Sequence, residues 1–429
     1  MKDRKRTDLQ NIAMLDKVML YTLYTGNTTR VQVRMEMADT VDGELLRKAV
    51  ASNLKIYTNF AKKVVVCKNE FYYAENHNEM PVFAEDGKAR RLCSADTNQY
   101  AFYITYEEHR LKWVFTHVAA DGTGMYMFLD SVIRTYLRDR YPGEYEFDEA
   151  AQFAASPFED IPEPLDHFEE VHLKQKKNNA YYFRPCKTGE NDVRSYVKLP
   201  EEKVVELSRS LGITPVGLFA AVFTRAARNV YRIEDSRIIA DVIVDLRRRS
   251  GIYPLRNFTG VSYIDMSTDE LMPELADDCR TAGRKLAEAL DSGYYHLDLF
   301  GSLLGMYRKI PGSLKTKFAI AKRLIGDAGK GYVSYHVSYM NQPQQTEWYL
   351  SKVKDLIFSV YPSSIDAPYI VIISQNGVMT WDINGLPDRD VILSEVARLL
   401  GLLGISCEIT EMRETCDDYF DLDAIEQVE

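Results

Sequence analysis

Apolar and polar residues follow two periods along the first hundred residues. The stretch 29–37, TRVQVRMEM, alternates residue by residue and predicts a half-buried strand. The next stretch, 42–57, has apolar residues at helical spacing, and Asp42 is its predicted N-cap. The stretch 63–75, KVVVCKNEFYYAE, then predicts a hairpin that turns near Lys68. These elements together predict a domain that mixes helices with antiparallel strands.

A second hairpin is predicted at 100–117, with strands at 100–106 and 111–117. Its second strand runs into the segment THVAADGTG, which places His117 at the strand end and Asp121 four residues later. Apolar residues at helical spacing follow from Met127 onwards. The local order is therefore strand, short loop with His117 and Asp121, and helix.

The second half repeats this mixture of patterns. An almost wholly apolar segment, TPVGLFAAVFTRAARNVY, predicts a buried helix with Thr214 as cap. The segment RIIADVIVDLRRR predicts a buried strand ending in arginines, and Asn376-Gly377 predicts the turn of a hairpin. Further strands are predicted at 192–200, 257–267, 332–341 and 405–412, and further helices at 201–212, 271–290, 297–326 and 388–404.

Both halves thus predict an α/β fold, made of two α+β two-layer sandwiches rather than a doubly wound sheet. We predict an N-terminal domain at 1–180 and a C-terminal domain at 181–429. The stretch 150–193 has little pattern and is predicted to link them. No dinucleotide or phosphate loop follows a predicted strand, and no nucleophile elbow is present.

Composition narrows the functional class. The 429 residues carry a net charge of -10 with both signs dispersed, which argues against a nucleic-acid binder. No apolar run reaches the roughly 18 residues of a membrane span, and no secretory signal is visible. The six cysteines form no C-x-x-C pair and resemble reduced thiols, so a cytoplasmic location is expected. The histidines lack metal-ligand spacing, and no metal site is predicted.

The segment around His117 permits two interpretations. A neutral imidazole is the natural general base near neutral pH, and the apolar spacer beside it would limit water. Alternatively, His117 ends a hairpin and Asp121 caps the following helix, with no chemistry involved. Spacing alone leaves both interpretations open.

The chain resembles the CoA-dependent acyltransferase superfamily, which includes chloramphenicol acetyltransferase and peptide-synthetase condensation domains. THVAADGTG is similar to its H-x-x-x-D-G motif, and VIVDLRRRSGIYPLRNFTG to a strand followed by R-N-F in stand-alone bacterial alcohol acetyltransferase-like proteins. SYHVSYMNQPQ resembles the family's S-Y-x-G strand. This resemblance implies two chloramphenicol-acetyltransferase-like domains with mixed sheets and a tunnel between them.

The resemblance also implies roles for particular residues. His117 would be the general base that takes a proton from an acceptor hydroxyl or amine as it attacks an acyl thioester. Asp121 would be structural, paired with Arg247 of DLRRR, and Gly122 would let the loop turn through a backbone angle that other residues resist. Asn257, in the R-N-F segment, would lie near the junction of the halves.

Ser338 and Tyr339 would face the tunnel and bind substrate, and Asn341 stands where the family tends to have glycine. Condensation domains often carry a second histidine where this chain has Thr116, which favours stand-alone acyl transfer. The expected partners are a small-molecule alcohol or amine and acyl-CoA, with acetyl-CoA as co-substrate and no permanently bound cofactor. The alternative is a non-catalytic or condensation-like protein that binds a thioester on an acyl carrier protein.

Overall fold

The computed structural model describes most of the chain. It covers residues 9–24, 30–88, 90–144, 179–183, 193–267, 272–293, 295–328, 332–340, 345–360, 367–383, 385–386, 388–413 and 421–428. The predicted linker at 150–193 lies outside the described residues, apart from 179–183 and residue 193.

The first half contains the predicted hairpins and helices. The elements are β1 (Gln10–Asn11), α1 (Met14–Tyr24), β2 (Arg30–Met37), α2 (Gly43–Leu54), β3 (Lys62–Cys67), β4 (Glu70–Glu75), β5 (Val82–Ala84), β6 (Phe102–Glu107), β7 (Arg110–Thr116) and α3 (Gly122–Arg140). Helix α1 was not anticipated from the sequence pattern.

The second half begins with a strand and continues with the two predicted helices. Its elements are β8 (Val193–Pro200), α4 (Glu201–Leu211), α5 (Pro215–Tyr231), β9 (Ile238–Asp245), α6 (Arg247–Ser250), β10 (Thr259–Met266), α7 (Leu275–Asp291), α8 (Leu297–Lys309), α9 (Leu314–Ala328), β11 (Tyr335–Met340), α10 (Glu347–Lys352), β12 (Val353–Val360), β13 (Tyr369–Gln375), β14 (Val378–Ile383), α11 (Arg389–Leu402), β15 (Glu408–Arg413) and β16 (Glu426–Val428).

Capping and turn chemistry explain where several elements begin and end. Asp42 accepts hydrogen bonds from two backbone amides of the first turn of α2, as an N-cap should. Thr214 caps α5 in the same way, and Gly212 ends α4 in the left-handed conformation. Asn376 and Gly377 both have positive φ at the β13–β14 turn, which confirms the predicted hairpin.

The described strands form three sheets. The five-stranded sheet has the order β12-β2-β7-β6-β5, the seven-stranded sheet β10-β9-β11-β13-β14-β8-β15, and the four-stranded sheet β1-β4-β3-β16. Strands β12 and β16 come from the second half but pair with β2 and β3 of the first. The two halves are therefore interlocked by main-chain hydrogen bonds. The boundary near residue 180 stays a prediction.

Each large sheet is covered by helices on one face. Apolar residues of the five-stranded sheet pack against α2 and α3, and those of the seven-stranded sheet pack against α5, α7 and α11. A third apolar cluster lies between the four-stranded sheet and the helices α1, α8 and α9. This arrangement confirms the predicted α/β class with mixed sheets.

No single helix in the described ranges is long and apolar enough to cross a membrane. Helices α4 and α5 pass that test only as a pair, and they are bent by 91° relative to each other. Four cysteines lie in the described ranges, and all four are free thiols: Cys67, Cys93, Cys279 and Cys407.

We predict that Phe219→Ala strongly destabilises the second half. Phe219 is fully buried, with its ring centroid 4.8 Å from Trp381 and 5.5 Å from Phe223. Truncation leaves a cavity among rigid rings, so the free energy of unfolding should fall by about 3–5 kcal/mol. Urea unfolding followed by tryptophan fluorescence measures this loss. Leu402→Ala, at a side chain that is 67% exposed, is the control and should leave the midpoint nearly unchanged.

Candidate active site

His117 follows the end of strand β7 and lies at the junction of the two halves. Leu111, Trp113 and Phe115 alternate toward the first-half core, and His117 follows them in the same register just beyond the strand end. The His117 ring lies 6.3 Å from that of Phe115, edge to face, and the side chain is half-buried. The imidazole of His117 therefore lies on the same face of the strand as these apolar side chains, at the edge of the first-half core.

Asp121 fixes the loop after His117. Its side chain accepts a hydrogen bond from the Gly124 amide at 2.7 Å and so caps α3. It also receives both terminal nitrogens of Arg247, at 2.9 and 3.0 Å, and the Phe258 amide at 2.7 Å. The structure thus shows the Asp121–Arg247 contact that the resemblance implied, together with the helix cap of the alternative interpretation. Four donors converge on one carboxylate that is only 1% exposed.

Arg247 is held as firmly as its partner. Its Nε donates to the Pro254 carbonyl at 2.8 Å, Nη1 also reaches Asp245 at 2.9 Å, and Nη2 reaches the Arg256 carbonyl at 2.7 Å. All five donors of the guanidinium therefore have acceptors. Burial alone would lower the pKa of Arg247, but the charges of Asp121 and Asp245 leave it raised.

Asn257 touches His117 through both ends of its amide. Its Nδ2 donates to the Asp16 carboxylate at 2.8 Å and to the His117 carbonyl. Its Oδ1 lies 3.4 Å from His117 Nδ1. Both groups facing Nδ2 can only accept hydrogen bonds, so the orientation of the amide is determined by its partners. Since Oδ1 can only accept, His117 Nδ1 must carry the hydrogen.

This tautomer leaves a lone pair on Nε2 of His117. Burial lowers the pKa of the imidazole below its ordinary value, while the charge of Asp121 and the hydrogen bond to Asn257 oppose that shift. The ring is therefore neutral near pH 7. A neutral, oriented imidazole with a free Nε2 has the properties of a general base.

Asp16, on α1, was missed by the sequence analysis. It is 1% exposed and pairs with Arg256 at 3.1 Å as well as with Asn257. Asp16 is one of the few polar residues in the mostly apolar segment MLDKVMLYTLY. An acidic residue in such a segment was the available sequence signal. Its partners are some 240 positions away in sequence, so only the fold reveals its function.

Two glycines at the start of α3 lie against the second half, and close packing against backbone requires the one at 124. A Cβ on Gly124 would lie 2.5 Å from the Leu255 carbonyl oxygen, and a Cβ on Gly122 would lie 3.0 Å from the Met340 sulfur. The expectation that Gly122 needs an unusual backbone angle is wrong, because it is the first residue of a helix and its φ is not positive. The loop instead needs small residues where the second half approaches.

The predicted substrate-binding residues of β11 point in opposite directions. Ser338 is half-exposed and shares a face with Met340, which packs into the first-half core near Gly122. Tyr339 lies on the other face and packs against the core of the second half, where burial raises its pKa. The structure thus brings Ser338, but not Tyr339, to the face that meets the first half. Asn341 lies outside the described residues.

Comparisons with known proteins identify structures that share the overall fold. No family model matches the sequence, and no curated protein matches it. Trichothecene 15-O-acetyltransferase from Fusarium sporotrichioides matches 94% of this chain and 97% of its own, with a TM-score of 0.62 and 12% identity. Polyketide synthase associated protein 5 from Mycobacterium tuberculosis matches 91% of this chain and 98% of its own, with a TM-score of 0.57 and 14% identity.

The epimerization domain from the third module of tyrocidine synthetase B matches 94% of this chain and 98% of its own, with a TM-score of 0.59 and 11% identity. The chain therefore shares its fold with an acetyltransferase, an epimerization domain and a condensation domain. A closer relation to bacterial alcohol acetyltransferase-like proteins stays a prediction.

We predict that Arg247→Ala destabilises the protein by about 3–5 kcal/mol, because Asp121 would remain as a buried charge without its partner. Denaturant unfolding measures the loss. Arg248→Ala, next along the chain and exposed, is the matched control and should change stability by no more than about 0.5 kcal/mol. Wild-type stability of Arg247→Ala would show that the pair does not hold the loop.

Proposed function

We propose that the protein is an acyltransferase that moves an acyl group from a thioester to the hydroxyl or amine of a small acceptor, with His117 as general base. The observation that carries the proposal is the contact between His117 Nδ1 and the Asn257 amide oxygen. It leaves Nε2 free, on a ring that burial keeps neutral. The fold, shared with an acetyltransferase and with condensation domains, supports the same reaction class.

In the proposed reaction, Nε2 of His117 accepts the proton of the acceptor O–H or N–H as that atom attacks the thioester carbonyl carbon. The tetrahedral intermediate collapses, and the carbon–sulfur bond breaks. The proton held on Nε2 passes to the departing thiolate, so the imidazole ends neutral. The hydrogen on Nδ1 stays bound to Asn257 throughout, and Asp121 with Arg247 keeps the loop in place. Such a base contributes about 10²–10⁴ to the rate.

We propose acyl-CoA, with acetyl-CoA as the first to test, as the donor, and no permanently bound cofactor. The alternative donor is a thioester on an acyl carrier protein, with the chain acting as a condensation-like protein or as a binder without turnover. The similarity to domains of peptide synthetases favours testing that alternative directly. Thiol release from acetyl-CoA, compared with release from acetylated carrier protein, separates the two donors.

We predict that His117→Ala lowers kcat by about 10²–10⁴, with a smaller effect on KM, because the base acts mainly in the transition state. The assay is thiol release from acetyl-CoA with a panel of alcohols and amines. His77→Ala removes an exposed histidine of the first half and should keep the full rate. Equal rates for His117→Ala and wild type would refute the base assignment.

We predict that the acidic limb of kcat/KM has a midpoint below about 6.5, the value of an unperturbed histidine. The base must be neutral to take a proton, and it is protonated below its pKa. Because burial lowers that pKa, activity should persist at more acidic pH than for an exposed histidine. In the wild type, the hydrogen bond to Asn257 raises the pKa of His117. Asn257→Ala removes that bond, so the midpoint should move lower still. A midpoint above that of free histidine would contradict the proposal.

A further inference from the structure

A second histidine–carboxylate pair lies on the seven-stranded sheet. His336 of β11 and Asp241 of β9 are direct neighbours across the parallel strand pair. Nδ1 of His336 lies 2.6 Å from Asp241 Oδ2, and the two residues are 8% and 6% exposed. No step proposed for His117 uses them.

Strand alternation shows which way this pair faces. On β9 and β11, Ala240, Val242 and Val337 point to the helices α5 and α7, so Asp241 and His336 point to the opposite face. On that same face, Met340 of β11 and Val371 of β13 pack into the core of the first half. The pair therefore belongs to the sheet face that meets the His117 loop.

The distance from the pair to that loop follows from the strands. Asp245 and Met340 lie on the same face, four residues beyond Asp241 and His336, and both reach the loop region. Asp245 binds Arg247, the partner of Asp121, and Met340 touches the position of Gly122. Four strand residues span about 13 Å.

Two partly exposed side chains lie between the two sites. Ile243 on β9 and Ser338 on β11 are midway along the strands, on the same face, and both are half-buried. The residues on either side of them along each strand are mostly buried. We infer that this strip of the sheet is the path between the His117 loop and Asp241.

Aromatic rings flank the far end of this strip. The Tyr369 ring stacks on His336, with centroids 4.3 Å apart and planes 17° apart. Tyr263 of β10, the cross-strand neighbour of Asp241, lies against His296 with centroids 4.2 Å apart. Both tyrosines and His296 are half-buried. The buried carboxylate thus lies between two aromatic pairs on the sheet.

Asp241 keeps one oxygen without a partner. His336 occupies Oδ2, whereas Oδ1 is buried and receives no hydrogen bond from any residue that the structure describes. An unsatisfied buried carboxylate oxygen is costly, and a donor from a ligand would remove that cost. A carboxylate can only accept, so the matching ligand group must be an N–H or O–H.

We propose that Asp241, held by His336, binds the far end of the acceptor through Oδ1 while the near end is acylated at His117. This inference rests on the proposed function and names its substrate class. The acceptor is an alcohol or amine with a second hydroxyl or amino group. The strand span of about 13 Å between Asp241 and the loop region corresponds to roughly ten bonds of an extended acceptor, because such a chain advances about 1.2 Å per bond.

Acyl transfer from acetyl-CoA to three matched series tests this assignment: 1-alkanols, α,ω-diols and α,ω-amino alcohols of increasing length. We expect kcat/KM for diols or amino alcohols to exceed that of the 1-alkanol of equal length, with a maximum near the predicted separation. Asp241→Asn should reduce that advantage by about tenfold or more, since a charged acceptor becomes neutral. Comparing the diol and amino alcohol series identifies the distal group as hydroxyl or amine.

Asp265→Asn is the matched control, because Asp265 is a carboxylate on the adjacent strand that pairs with Arg237. It should keep the advantage of the bifunctional acceptors. Asp241→Ser removes the carboxylate with a smaller side chain, and melting curves show whether each variant is folded. Equal rates for bifunctional and simple alcohols at every length would overturn the assignment while leaving the acyltransferase function intact. A change confined to the KM of acetyl-CoA would overturn it too.

A binding readout separates the two proposals. The readout is NMR of protein that carries isotope-labelled histidine. The ring resonances of His336, assigned with His336→Gln, should shift on addition of a long diol but not of the matching alkanol. If the resonances shift but no acyl transfer is detected, the binding site stands and the acyltransferase function is refuted. If neither the shift nor acyl transfer is detected, both proposals are refuted.

Discussion

The buried pair of Asp121 and Arg247 joins the two halves at one point, and the candidate site depends on it. Asp121 caps α3 of the first half and at the same time receives Arg247 and the Phe258 amide from the second. Each oxygen of the Asp121 carboxylate accepts two hydrogen bonds, so the loop between His117 and α3 is held in the conformation that brings all four donors together. The glycine at 124 is part of the same constraint, because any side chain there would displace the Leu255 carbonyl.

An amide, and not a carboxylate, stands against the Nδ1 atom of His117. A carboxylate at that position would stabilise the imidazolium and raise its pKa, whereas an amide oxygen orients the ring without a full charge. The charge is held one residue further away, on Asp16, which in turn orients the amide of Asn257. The His336–Asp241 pair shows the other arrangement within the same protein, with the carboxylate directly on the ring. Our two proposals accordingly give the histidines different tasks, proton transfer for His117 and support of a ligand-binding carboxylate for His336.

Local signals in the sequence were sufficient for much of the fold. Alternation located both hairpins of the first half, and caps at Asp42 and Thr214 marked helix starts that the structure confirms. Helix α1 and strand β12 were missed because each is defined by distant partners. Strand β12 pairs with β2, more than 300 residues earlier, and α1 is held by α8 and α9. In β11, Ser338 and Tyr339 are adjacent, so they lie on opposite faces in any register. The resemblance had assigned both residues to the same site.

By itself, the sequence determined the α/β class and the strand–loop–helix order around His117, and the resemblance added the expectation that Asp121 meets Arg247. The first two follow from residue spacing and from chemistry that acts over a few positions, whereas the Asp121–Arg247 contact joins residues 126 positions apart and was expected from the resemblance alone. Only the tertiary structure decided the tautomer of His117, the role of Asp16 and the neighbourhood of Asp241 and His336. Each of these depends on side chains separated by about a hundred residues or more, and such contacts form only when strands and helices from both halves pack together.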